Sequence, residues 1–131
     1  MTDPVNILNF AAYFAVAVAL LAAFLAAYTL LTPVEEWHHI REGNTAVAVS
    51  LGGAMIGFSL PLSSSIVHNS TLAATIVTAA VALVAQLLCF VVLRTLRRGS
   101  AAALERGDMA EAILRAAMSI TIGILNAACL T

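Results

Sequence analysis

The sequence lacks lysine and carries little charge of either sign. Charged residues make up 10% of the 131 positions, all six basic residues are arginines, and 62% of the chain is hydrophobic. The mean hydropathy is +1.01. Because a water-soluble domain of this size needs far more charge to cover its surface, the composition excludes that class and indicates a membrane protein.

Residue groups suited to catalysis or metal binding are also missing. The two cysteines, Cys89 and Cys129, lie apart in apolar stretches, so we predict buried thiols. His38 and His39 are adjacent and point apart on a helix, which does not suit a metal site. There is no nucleophile–base pair and no phosphate-binding glycine loop, so we predict no enzyme, metal or cofactor. No basic cluster is interleaved with aromatic residues, which argues against nucleic acid as a partner.

Four long apolar stretches dominate what remains. They begin near Val5, Asn44, Thr71 and Met109. Each is long enough to cross about 30 Å of hydrocarbon as a helix that rises about 1.5 Å per residue. The prediction is an all-α, polytopic protein with one membrane domain over residues 1–131 and four transmembrane helices.

Pro61 leaves two interpretations of the second span open. It follows Asn44 after about 17 residues, or roughly 25 Å of helix, and three serines come soon after it. In the first interpretation the helix ends at Pro61, in the outer interface. In the second the helix is kinked or broken there, and its freed carbonyls and hydroxyls line a polar cavity.

Small residues recur on one face of the second span at steps of four, three and four, and a similar set follows in the fourth span. Such faces let helices approach closely in lipid, and Gly53-x-x-x-Gly57 is the familiar short form. We predict that the following residues pack helices together: Ala46, Ser50, Gly53, Gly57, Ala112, Ala116, Ser119 and Gly123.

The chain also predicts an internal repeat, with repeat one over residues 5–67 and repeat two over residues 71–130. Gly43-Asn44 and Gly107-Asp108 match at a distance of 64 positions, and both Asn44 and Asp108 are suited to cap a helix. The small-residue faces match at 66 positions, so either the helix register differs between the halves or one match is chance. Because each half crosses twice, the two helical hairpins should run parallel.

Several polar residues fall at membrane depth. Gln86 requires a hydrogen-bond partner, which is either an interhelical contact or part of a solute path. Glu111 and Arg115 are one helical turn apart and form a predicted ion pair, with a structural or a functional role. The candidate polar path consists of Asn44, Ser59, Pro61, Ser63, Gln86, Glu111, Arg115 and Asn126.

The arginines predict how the chain is threaded through the membrane. All of them lie in or near the first and third connections, and the ends of the chain and the second connection have none. The positive-inside rule then places those two connections in the cytoplasm and both termini outside. The arginines concerned are Arg41, Arg94, Arg97, Arg98, Arg106 and Arg115.

Four segments, in order along the chain, resemble one bacterial membrane family. They are Tyr28-Thr-Leu-Leu-Thr-Pro33, Ile40-Arg-Glu-Gly-Asn-Thr-Ala46, Gly52-Gly-Ala-Met-Ile-Gly-Phe-Ser-Leu-Pro61 and Gly123-Ile-Leu-Asn-Ala-Ala-Cys129. Together they are similar to the family catalogued as domain of unknown function 350, the YjfL-like inner-membrane proteins. The resemblance implies a multi-pass inner-membrane protein made of two copies of a two-helix unit, and it supplies no catalytic residues.

Two hypotheses about function stay open at this point. The small-residue faces and the absence of a soluble domain favour a helix-packed homo-oligomer, or a subunit bound to a partner membrane protein, with a role in envelope maintenance. The line of polar residues at membrane depth favours an oligomeric channel or carrier for an ion or small solute. In both cases membrane lipids are direct partners.

Overall fold

The computed structural model describes residues 4–31, 36–97 and 99–130, and these contain six α-helices and no strand. Four of the helices are long and apolar enough to cross a membrane, which confirms the predicted all-α fold with four spans. Arg98 lies outside the described residues. The helices are α1 (Pro4–Leu31), α2 (Glu36–Arg41), α3 (Thr45–His68), α4 (Leu72–Leu96), α5 (Ser100–Glu105) and α6 (Met109–Cys129).

Side-chain caps fix where α3 and α6 begin. The Asn44 side chain accepts from the amide of Val47, and the Asp108 side chain accepts from the amide of Glu111, each at 3.2 Å. Each cap follows a glycine with a positive φ, +85° at Gly43 and +82° at Gly107, which other residues rarely adopt. The predicted N-caps at Asn44 and Asp108 are confirmed.

Helix α3 is the centre of the bundle, because it packs against α1, α4 and α6 and is the most buried of the four spans. Part of its contact with α1 is aromatic. The rings of Phe24 and Phe58 are stacked with their centroids 4.6 Å apart, and Tyr28 and Phe90 extend this cluster. Stacked aromatic rings hold these helices in one arrangement.

The structure corrects the expectation for Pro61. Helix α3 continues through Pro61 to His68, and Pro61 is buried, so the helix neither ends nor breaks there. Proline has no amide hydrogen to donate to the carbonyl of Gly57, four residues earlier. That carbonyl lies against Gly123 of α6 instead. Transmembrane helices tolerate proline where a neighbouring helix contacts the freed carbonyl in this way.

The prediction of buried cysteines was wrong, since Cys89 and Cys129 are both exposed. Both lie on apolar helices whose outer faces are not covered by the chain. In a membrane protein an apolar stretch is solvated by lipid, so apolar surroundings in the sequence do not imply burial in the protein.

Candidate functional site

The closest helix contact joins α3 and α6 through glycine. A side-chain carbon built on Gly53 would collide with Ala116, and one built on Gly57 would collide with the carbonyl group of Ser119. A carbon on Gly123 would collide with the carbonyl of Gly57. The two backbones are therefore in direct contact, which no larger residue at these positions would allow.

These contacts show that α3 and α6 run in the same direction. Along α3, Gly53 meets Ala116, Gly57 meets Gly123, and the Ser64 hydroxyl donates to the Ala127 carbonyl at 3.3 Å. The partners follow the same order along α6. We call this contact the glycine seam, and it lies within one chain.

All eight predicted packing residues belong to α3 or α6, and seven of them are buried, while Ala116 is half-buried. Ala46 and Ala112 pack in one cluster with Val47 and Leu104. Ser50 is buried, and among the described residues its hydroxyl has no hydrogen-bond partner. The caps lie 64 positions apart and the buried small faces 66 positions apart, so the two helices differ in register relative to their caps. The internal repeat itself stays a prediction.

Two of the predicted polar residues meet in the middle of the bundle. Gln86 is fully buried, and its side-chain nitrogen donates to the Ser119 carbonyl at 3.3 Å. The Asn126 side chain donates to Gln86 Oε1 at 3.2 Å and to the Ala82 carbonyl at 3.0 Å. These bonds join α4 to α6 beside the glycine seam and give both amides, the buried one of Gln86 and the half-buried one of Asn126, their partners.

The short helices α2 and α5 lie at one end of the bundle, here called the short-helix end. Asn44 joins the start of α3 to α5 there, because its side-chain nitrogen donates to the carbonyls of Leu104 at 3.0 Å and Glu105 at 3.2 Å. Helix α1 ends next to α2 and helix α6 begins next to α5. The first residue of α1 and the last residue of α6 therefore lie at the opposite end of the bundle.

A network of polar side chains lies at the short-helix end. Arg97 pairs with Glu111 at 2.7 Å, and Ser100 donates to the other oxygen of Glu111 at 2.7 Å. Arg115 donates to Ser100 Oγ at 3.4 Å and to the Tyr28 hydroxyl at 3.1 Å. The predicted ion pair between Glu111 and Arg115 is therefore wrong, because Arg97 takes the carboxylate and Arg115 is linked to it only through Ser100.

The remaining polar-path residues lie elsewhere. Ser59 and Ser63 are exposed on the outer face of α3, and Ser59 donates to the Ile56 carbonyl of its own helix at 2.7 Å. Pro61 is buried in the same helix. The structure thus divides the eight candidates among a helix cap, an outer face, the buried Pro61, the hydrogen-bonded pair Gln86 and Asn126, and the network at the short-helix end.

A cavity of about 270 Å³ adjoins this network. Its lining includes Tyr28, Arg94, Arg97 and Ser100, which the sequence did not single out as a site, together with Arg115. The available signal was the four arginines in the third connection, and it was used only to orient the chain. Tyr28 could not be found this way, because it lies 87 positions from its partner Arg115.

Comparison with known proteins identifies the family. The family described as Domain of Unknown Function (DUF350) matches residues 2–130. The chain belongs to the DUF350 family. This confirms the resemblance drawn from the sequence.

Two relatives illustrate the similarity. The UPF0719 inner membrane protein YjfL of Escherichia coli strain K12 is 32% identical over 126 residues, which cover 96% of each chain. The UPF0719 transmembrane protein YshE of Bacillus subtilis strain 168 is 40% identical over 68 residues, which cover 51% of each chain. No solved structure matches the chain. With four apolar spans, this DUF350 member is a multi-pass inner-membrane protein.

Proposed function

We propose that the protein is a helix-packed subunit of a membrane assembly, in the simplest case a homo-oligomer, with a role in maintaining the bacterial envelope. The observation that carries the proposal is a second face of α3, formed by Gly52, Ser59 and Ser63. We call it the outer small face. It is separate from the glycine seam, which is already used within the chain.

The outer small face is largely uncovered within the described chain: Gly52 is half-buried, both serines are exposed, and the exposed Ile56 lies between them. Gly52, Ser59 and Ser63 are seven and four positions apart, which places them on one side of a helix. A side-chain carbon built on Gly52 would meet nothing within 4 Å, and both serines are exposed. Small residues facing lipid contribute little packing, whereas the same residues facing another helix allow close approach. This supports a second copy of the chain as the partner of this face.

The transport hypothesis has less support. Gln86 and Asn126 bond to each other and to the carbonyls of Ser119 and Ala82, which is how structural amides are satisfied between helices. Ser59 and Ser63 are on another side of the bundle. A transport path would need these groups to line one passage.

The proposal includes an orientation. All arginine side chains that the structure describes lie at or near the short-helix end. The positive-inside rule favours that end in the cytoplasm and both termini outside.

Cross-linking in native membranes tests the assembly. In a background with Cys89→Ala and Cys129→Ala, a short bifunctional thiol reagent is applied to Ser59→Cys. The matched control is Val84→Cys, which is exposed on α4 at a similar depth, two positions from Gln86. We expect covalent dimers from Ser59→Cys and only monomers from Val84→Cys.

A further substitution tests the contact itself. Gly52→Leu fills the outer small face without touching the glycine seam, so it should abolish the Ser59→Cys dimer while the monomer still folds. Monomer alone from Ser59→Cys, or equal cross-linking at positions 59 and 84, would contradict the assembly through this face.

A further inference from the structure

The cavity at the short-helix end is surrounded by more positive than negative charge. Its lining includes Arg94, Arg97 and Arg115. Of these, Arg97 is the one that pairs with a described carboxylate, that of Glu111. The described partners of Arg115 are two neutral hydroxyls. Arg94 donates to the carbonyl of Leu31, which is also neutral.

Among the described residues of this lining and their partners, three guanidinium groups face one carboxylate, which is an excess of two positive charges. Arginine side chains near the ends of membrane-spanning helices reach the headgroup layer, where anionic lipid groups can pair with them. Arginine binds phosphate well, because its planar guanidinium can donate two parallel hydrogen bonds to two oxygens.

The rest of the cavity wall is apolar. Leu87, Phe90, Val91 and Met118 belong to the lining, on α4 and α6. A free phosphate ion gains nothing from these side chains, whereas the first carbons of an acyl chain would be buried against them. One ligand with a phosphate at one end and hydrocarbon at the other matches both parts of the wall.

We infer that this cavity binds the headgroup of an anionic phospholipid. Its volume of about 270 Å³ lies just below the range of about 300–1,000 Å³ typical of ligand pockets, so it suits a headgroup and the adjoining carbons. Basic pockets between transmembrane helices at a membrane surface are a known form of lipid site. The site is separate from the outer small face and does not depend on the assembly.

Native mass spectrometry of the purified full chain tests the site. The protein is mixed with equal amounts of phosphatidylglycerol, which is anionic, and phosphatidylcholine, which is not. We expect the wild type to retain phosphatidylglycerol in preference by about tenfold, as expected for charge-assisted hydrogen bonds from arginine. Equal retention of the two lipids by the wild type would overturn the inference, whatever the variants do.

Substitutions of the arginines test whether the lipid binds in this cavity. The double variant Arg94→Gln with Arg115→Gln should lose the preference for phosphatidylglycerol. The matched control Arg106→Gln removes the same charge from an exposed position outside the cavity lining and should keep the preference. The single variant Arg94→Gln, which leaves the network of Arg97, Ser100, Glu111 and Arg115 in place, should weaken retention part of the way. Loss of the preference in Arg106→Gln to the same degree would show a general surface attraction and overturn the site.

Competition separates a lipid from a free anion. Inorganic phosphate or glycerol phosphate, added at the concentration of the lipid, should leave phosphatidylglycerol bound. Displacement by either one would mean that the arginines bind a soluble phosphate, and the assignment to a lipid would be wrong.

Discussion

Gln86 is fully buried among the membrane-spanning helices, and both ends of its amide are bonded. Its nitrogen donates to the Ser119 carbonyl, beside the place where Gly57 touches α6. Its oxygen accepts from Asn126. One side chain therefore links α4 to α6 next to the glycine seam. The link requires a side chain of this length whose amide both donates and accepts a hydrogen bond.

A double-mutant cycle measures the link. Gln86→Leu should lower the free energy of unfolding in mixed micelles by about 1–2 kcal/mol, the range of interhelical hydrogen bonds in membranes. Gln86→Leu combined with Asn126→Leu should cost less than the sum of the single variants, by about 0.5–1 kcal/mol.

The control for this cycle is Thr121→Val. Thr121 is exposed and donates only to the Ala117 carbonyl of its own helix, so the change should stay within about 0.5 kcal/mol. Strictly additive effects at Gln86 and Asn126 would contradict the bond between them.

For single residues, the sequence predicted which side chains require a hydrogen-bond partner better than it predicted which residue that partner is. It showed that Gln86 requires a partner, yet Asn126 lies 40 positions away and no local pattern connects the two. It paired Glu111 with Arg115 because helical neighbours are visible in a sequence. The actual partner, Arg97, lies beyond the end of another helix and becomes available only when α4 and α6 pack.

The side-chain caps of α3 and α6 differ in the further hydrogen bonds that they make. Asp108 accepts from the Glu111 amide of α6. Asn44 does the same for α3, and its nitrogen also donates to two carbonyls at the end of α5. An aspartate could not replace it, because an ionised carboxylate has no hydrogen to donate.

Alanine at each cap separates the two roles. Asp108→Ala should cost about 1 kcal/mol, as for loss of a cap alone. Asn44→Ala should cost about 2–3 kcal/mol, because two further hydrogen bonds are lost. Thermal unfolding of both variants in the same detergent checks the order, and equal losses would show that the bonds from Asn44 to α5 contribute nothing.

Element boundaries were predictable where a local signal fixed them. The starts of α3 and α6 follow from glycine and a capping residue, which act within a few positions. The passage of α3 through Pro61 was not predictable, because it depends on Gly123 of another helix meeting the carbonyl that proline leaves free. The exposed cysteines were missed for a related reason, since an apolar helix face shows no difference in sequence between lipid and protein contacts.

For the whole molecule, the apolar stretches predicted the number of spans directly. The sequence did not predict which helix packs against each small-residue face. The faces of α3 and α6 pair within one chain, and the chain then presents a further face with Gly52, Ser59 and Ser63. Spacing alone cannot distinguish contact within a chain from contact between copies.

The orientation gives a prediction at the same scale. Alkaline phosphatase fused after Leu130 should be active, because both termini are expected outside, where the enzyme folds. A fluorescent protein inserted in the α2–α3 turn after Glu42 should fluoresce, because that turn is expected inside. The reverse pattern would require the opposite threading.

The glycine seam between α3 and α6 is the central claim, and one comparison tests it most directly. The free energy of unfolding is measured for Gly123→Ala and Gly52→Ala in micelles that each hold one chain. Gly123→Ala adds a methyl group that collides with the Gly57 carbonyl, so we predict a loss of about 2–3 kcal/mol. Gly52→Ala adds the same group into open space on the same bundle. We therefore predict that its free energy of unfolding is unchanged or rises by up to about 1 kcal/mol. If Gly123→Ala were tolerated as well as Gly52→Ala, the two helices could not be packed as described.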